Sequence, residues 1–221
     1  MKVSSASRWF VPIGLLALSF IPILAGGARL VQLSVGSPIT PEHARFFDAP
    51  VPIIFHIVSI TLYCILGAFQ LSPWHRRRYQ RWHRVSGWIV FPSGMVAALT
   101  GVWMAHFYAW PLYDGDGLYV IRIVVGLAMA LFLCFGIASI LRHDSSEHRR
   151  WMMRSHALGL GAGTQVLTHL PWFLIPSIRS EGVRTLLMGA GWFINLALVE
   201  WVLWRERAWA AHQAVNSRPP L

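Results

Sequence analysis

Several histidines in this chain lie inside apolar runs, where a polar ring is costly unless it has a partner. Residues 148–172, HRRWMMRSHALGLGAGTQVLTHLPW, hold two of them, His156 and His169. Upstream, His56 and His83 sit in or at the edge of similar runs. Depth sorts the set. His56, His106 and His169 fall in one half of the hydrophobic layer; His75, His83, His143, His148 and His156 fall at the opposite edge. Neutral imidazoles on facing helices supply the axial nitrogens of a b-type haem. His56 with His169, or His106 with His169, would hold an outer haem b, and His83 with His156 an inner one. The 13 residues from His156 to His169 span about 20 Å of helix and turn it by about 220°. The separation suits one site in each leaflet, whereas the rotation puts the two rings on different faces and goes against a simple two-site picture. His75 and His143, in loops, are expected to be solvated. The plainer alternative for the whole set is hydrogen-bonded packing residues.

Two stripes must position these rings. His56, Ser59, Tyr63, Gly67 and Gln70 recur at helical spacing and share one face. Tyr63 and Gln70, with Glu200, would also line a proton or solute path. His83, Gly87, Gly94 and Gly101 share a face of the next run, each glycine preceded by Ser86, Ser93 or Thr100. Such a track either admits a neighbouring helix closely or leaves a groove for a flat cofactor.

The charges form two groups. Arg84, Arg149, Arg150 and Arg154, with Trp151 and Trp82, cluster where two runs begin. Arginine forks bind phosphate or carboxylate in pairs, so this cluster is expected to hold an anionic headgroup or Glu200. Arg142, Arg149 or His83 would also serve as partner to Glu200. On the other side Arg29, Arg45, Arg122 and Arg179 form a basic rim for propionates, an anionic substrate or lipid phosphate.

Of 221 residues 55% are hydrophobic and 13% charged, about half the charge of a soluble domain. Six runs reach the roughly 20 residues a bilayer crossing needs, at about 9–33, 52–72, 85–106, 118–141, 155–175 and 184–204. The first reads as an uncleaved anchor. The fold expected is all-α, a six-helix transmembrane bundle in one domain over 1–207, its core the second to fifth spans. Residues 208–221 are expected to be a short disordered tail. All of the 19 Lys and Arg residues except Arg29, Arg45, Arg122, Arg179 and Arg184 fall on the side that holds both termini. Positive charge marks the cytoplasmic side, which predicts an N-in, C-in chain. The net charge of +10 lies in short loops, which suits anionic lipid headgroups and excludes a nucleic-acid-binding face. Cys64 and Cys134 both fall in apolar runs, with no metal-binding spacing.

Three segments, HIVSITLYCILGAFQ at 56–70, WHRVSGW at 82–88 and HRRWMMRSHAL at 148–158, resemble a family of predicted bacterial membrane proteins known as domain of unknown function 2306. The resemblance implies a bacterial cytoplasmic membrane location. It places emphasis on His56, Gln70, His83, Arg84, Gly87, His148, Trp151, Met152 and Arg154, and makes His156 and His169 departures from the pattern. Histidine placement is also similar to that of four-helix b-type cytochromes. Three functions stay open: haem-b electron transfer acting on quinone; small-solute or proton transport; and a non-catalytic subunit that binds lipid or a partner protein.

Overall fold

The structure, a computed structural model, describes residues 5–36, 38–41 and 43–216. Ten α-helices account for nearly all of it: α1 (Ser5–Val35), α2 (Ala44–Asp48), α3 (Pro50–Gln70), α4 (Pro73–Arg78), α5 (Gln80–Phe107), α6 (Asp116–Leu141), α7 (Ser145–Gly159), α8 (Gly161–Thr168), α9 (Leu170–Leu174) and α10 (Glu181–Asn216), with a 3-10 turn at Pro176–Ile178. There is no strand among the described residues. Five helices, α1, α3, α5, α6 and α10, are long and apolar enough to cross a membrane. Their outward faces are apolar, with Phe10, Phe55, Leu99, Val124, Leu131 and Phe193 exposed. Water would penalise so many exposed rings and aliphatic chains, whereas hydrocarbon accepts them.

The fifth expected span, 155–175, is not a continuous helix. It is α7, α8 and α9 in succession, interrupted at Leu160 and His169. The interruption has a local cause. At Gly161 a Cβ would collide with the Trp192 indole of α10, and at Gly163 with the Leu18 carbonyl of α1. Glycine permits both approaches but weakens the helix that contains it. Pro171 then has no N–H to continue the ladder, and α9 starts around it. Asn195 of α10 clasps the first break. Its Nδ2 donates to the Ala157 carbonyl in α7 at 3.1 Å, and its Oδ1 accepts from Thr164 of α8 at 2.6 Å.

Further boundaries differ from expectation. α7 begins well before residue 155, because Asp144 caps it by accepting from the Glu147 N–H at 2.9 Å. Arg149, Arg150, Trp151 and Arg154 therefore stand on a helix, not in a loop. α10 continues through the expected disordered tail as far as Asn216.

Ion pairs mark the two ends of the bundle. Asp114, just before α6, accepts from Arg122 and from Arg184 at the start of α10, each at 2.5 Å. At the opposite end Arg154 pairs with Glu200 and Arg149 with Glu206. The segmented α7–α9 path thus runs from the second end back to the first, antiparallel to α10. Around the bundle α1 packs on α3, α3 on α5, α5 on α6, α6 on α7, and α8 closes the ring against α1 and α10.

Candidate functional site: an internal chamber with a basic rim

The α3 stripe and the α5 glycine track are two halves of one interface. The helices run antiparallel, so Gln70 meets Gly87, Tyr63 meets Gly94 and His56 meets Gly101, a match every seven residues. A Cβ at Gly94 would lie 2.6 Å from the Tyr63 ring, at Gly87 3.6 Å from Gln70 Nε2, and at Gly101 3.4 Å from His56 Cε1. Gln70 and Tyr63 find hydrogen-bond partners along the seam. Gln70 Nε2 donates to the His83 carbonyl at 2.7 Å and to Ser86 at 2.8 Å. The Tyr63 hydroxyl donates to Ser155 of α7 at 2.9 Å. Tyr63, Val90 and Leu133 fill the middle of the bundle, at 0%, 2% and 0% exposure. Tyr63 and Gln70 are therefore packing residues in this structure.

Toward the rim end of the bundle the filling stops. A chamber of about 640 Å³ opens between α1, α3, α5, α6, α8 and α10. That is the size of a small-molecule site. Its walls are small or apolar, including Ala97, Ala98, Gly101, Ala105, Gly126 and Ala162. His56 is the histidine in the wall. The Ala97 carbonyl, 2.9 Å from Nδ1, can only accept, so Nδ1 carries the proton. Nε2 is then an unprotonated acceptor, the ring's remaining polar atom. Ser19, Thr61, Cys64 and Gln165 are the other polar side chains at depth; Ser19 donates to the Leu15 carbonyl at 2.8 Å, and Gln165 Nε2 to the Met188 carbonyl at 3.0 Å.

The rim is built from α2 and the α5–α6 turn. Arg45, Phe46, Tyr108, Trp110 and Arg122 line it. Tyr108 donates to the Ala49 carbonyl at 2.6 Å, and Arg45 Nη1 to the Ala109 carbonyl at 3.0 Å. Phe46 lies under both the Arg29 and Arg45 guanidinium groups, at 4.8 and 4.7 Å. Burial pulls the Arg45 pKa below the ordinary arginine value; Asp114 opposes this, and Arg122, Arg29 and Arg184 add to it. Of the expected basic rim, Arg45 and Arg122 reach the chamber. Arg29 turns to Gln32 and His43, and Arg179 to the Trp172 carbonyl.

The four candidate haem ligands do not meet on this wall. His169 does not line the chamber, and its Nδ1 donates to the Gln165 carbonyl one turn back at 3.1 Å. His156 is fully enclosed in the opposite half, against Gly67 and the Tyr63 ring, with Nε2 unpartnered. His83 lies near the inner end of α3, and its Nδ1 is buried without a partner. His106 Nδ1 faces the Tyr119 hydroxyl at 3.0 Å. A bis-histidine haem needs two imidazoles on one cavity, so the residues lining the chamber do not fit that group.

The inner basic cluster has protein partners. Arg154 holds Glu200, Arg149 holds Glu206 and Arg150 holds Glu147. Trp151 packs against Phe132 and Phe135, with Arg154 over it at 4.7 Å. Arg84 is exposed, with no carboxylate partner among the described residues. His75, expected in solvent, is instead 6% exposed. The rings of Trp9, Phe69, Trp74 and Tyr79 surround it, and Ser72 is 2.9 Å from Nδ1. This burial pushes its pKa down. Trp74 adjoins it in sequence, and Phe69 and Tyr79 lie within six residues; Trp9 is brought from α1. His143 is exposed as expected.

A ring of apolar helices around an internal chamber defines a polytopic membrane protein. The chain belongs to the family of predicted membrane proteins DUF2306, whose match covers residues 53–203. No curated protein and no solved structure matches it.

Proposed function

We propose that this protein takes a bilayer-soluble amphiphile into its internal chamber, with the polar group of the ligand at the rim and its apolar body among the alanine and glycine walls. One observation carries the reading: mostly apolar side chains from six helices face one another without filling the space between them. A gap of this kind forfeits dispersion contacts along its whole lining, and an apolar occupant restores them. The other half of the bundle, packed around Tyr63 and Leu133, favours holding a ligand over passing one through. His56 Nε2 offers an acceptor at depth, suited to a hydroxyl such as that of a quinol, so quinones stay within the ligand class. In this reading the chain crosses a bacterial cytoplasmic membrane six times, the fifth time as α7–α9. Both termini are cytoplasmic, and Arg45 and Arg122 face outward.

The test is a fluorescence titration with a decyl-chain quinone, read on Trp110 and Trp192, which line the chamber. Ala105→Phe places a ring in the chamber, whereas Leu99→Phe adds one to the lipid face, where Leu99 is 52% exposed. Saturable quenching lost only in Ala105→Phe supports the reading. Equal quenching in both variants contradicts it.

A further inference from the structure

At the rim Arg45 presents a donor edge that no described residue takes up. Its Nη1 donates to Ala109. Its Nε is buried without an acceptor, and Nη2 makes no hydrogen bond among the described residues. Nε–H and Nη2–H point the same way, a fork spaced to receive two oxygens of one carboxylate or phosphate. Elsewhere the same chain uses this edge in that manner: Arg154 holds Glu200 through Nε at 2.5 Å and Nη2 at 2.9 Å. Phe46, 4.7 Å beneath the Arg45 guanidinium, holds the fork in place.

The surrounding charge is unbalanced in the same sense. Arg29, Arg122 and Arg184 lie within electrostatic reach of Arg45, and among the described residues Asp114 is the acid in that group. Its carboxylate is 2% exposed and already shared between Arg122 and Arg184. No Asp or Glu lines the chamber among the described residues. A half-buried cation with an unmet donor, in a rim that is net positive among the described residues, is costly until an anion arrives. A neutral head would satisfy the hydrogen bond and leave the charge uncompensated.

We infer that the Arg45 fork binds the anionic head, a carboxylate or a phosphate monoester, of an amphiphile whose apolar body lies in the chamber. This assignment rests on the chamber reading above and adds the chemistry of the head. Arg122, held by Asp114, is a second cation at the same rim, and Asp114 acts as a positioning residue.

Three matched probes test it: dodecanoate, dodecyl phosphate and dodecanol, each displacing a fluorescent chain-bearing reporter from the full-length protein in nanodiscs of zwitterionic lipid. At least one anionic probe is expected to bind roughly ten-fold or more tightly than dodecanol, the scale of a charge-assisted hydrogen bond. Whichever anion binds tighter identifies the head. Arg45→Gln removes the anionic advantage, so that neither anion binds this variant more tightly than dodecanol does. Arg45→Lys, which keeps the charge and loses the fork, retains part of it. Displacement of the reporter by dodecanol from Arg45→Gln shows that the variant is folded. Dodecanol binding as tightly as both anions, or an anionic preference that survives Arg45→Gln, overturns the head assignment and leaves the chamber standing. Failure of all three probes to displace the reporter overturns both.

Discussion

Alanine at each glycine of the α5 track should separate packing from open space. The three positions share a helix and a substitution, so the intrinsic gain of alanine over glycine, up to about 1 kcal/mol, is common to all and cancels in comparison. What remains is the neighbour each new methyl meets. At Gly87 it sits 3.6 Å from Gln70 Nε2, an ordinary contact. At Gly101 it sits 3.4 Å from His56 Cε1, beside the chamber into which that ring can shift. At Gly94 it lies 2.6 Å from Tyr63 Cε2 and 3.0 Å from Leu133 Cδ1. Tyr63 cannot retreat, because Gly159 stands against its opposite edge, where a Cβ would be 2.8 Å from Cε1. Overpacking of this kind costs about 1–3 kcal/mol. Gly87→Ala should therefore match or exceed wild-type stability, Gly101→Ala should be near neutral, and Gly94→Ala should fall about 1–3 kcal/mol below Gly87→Ala. Equilibrium unfolding in mixed micelles, followed by tryptophan fluorescence, reads the order. In a Tyr63→Ala background the Gly94→Ala penalty should largely vanish, since the two residues are in contact. A Gly94→Ala protein as stable as Gly87→Ala would refute the seven-residue register between α3 and α5.

Three further outcomes follow from particular contacts. The His75 pKa is depressed in the folded protein by burial, so above the unfolded value of about 6.5 both states are neutral and stability is full. As pH falls below that value the unfolded chain takes the proton first, and stability drops until the folded pKa is reached; His75→Phe should flatten this part of the thermal-midpoint profile, and an identical slope in the variant would count against the buried neutral ring. Trp151→Ala, which removes the ring packed against Phe132 and Phe135, should cost roughly 3 kcal/mol; Arg154→Ala should cost about 1 kcal/mol, since Glu200 is half exposed. Both should exceed Arg218→Ala, a position outside the described residues, and equal melting temperatures for all three would contradict that packing. Alkaline phosphatase fused after residue 207 should be inactive, and activity there would reverse the proposed orientation.

The long apolar helices were legible because hydropathy sums over a window. The same summation hid the breaks at Leu160 and His169: the glycines of GLGAG were plain, but the Trp192 and Leu18 atoms that require Gly161 and Gly163 come from distant helices. The stripe on α3 and the glycine track on α5 were each visible. That they are one interface depends on which helices are neighbours and in what register, and neither is written in local spacing. The same ambiguity governs the site. Gly94 and Gly101 read alike in sequence, yet Tyr63 fills the space before one, while the space before the other opens into the chamber. A void is an absence of side chains, so spacing cannot disclose it. Of the histidines sorted by depth His56 lines the chamber, and of the outer arginines Arg45 and Arg122 do. Depth alone could not give the direction of a ring, which is why His169, at a matching level, turns to its own helix.

The central claim is that the chamber holds an amphiphile, and native mass spectrometry of the protein released from nonionic detergent tests it most directly. Wild type and Leu99→Phe should each carry a bound small molecule at one per chain, released on collisional activation, and Ala105→Phe should carry none. The same adduct on all three proteins, or its absence from wild type purified under conditions that retain annular lipid, would contradict the account.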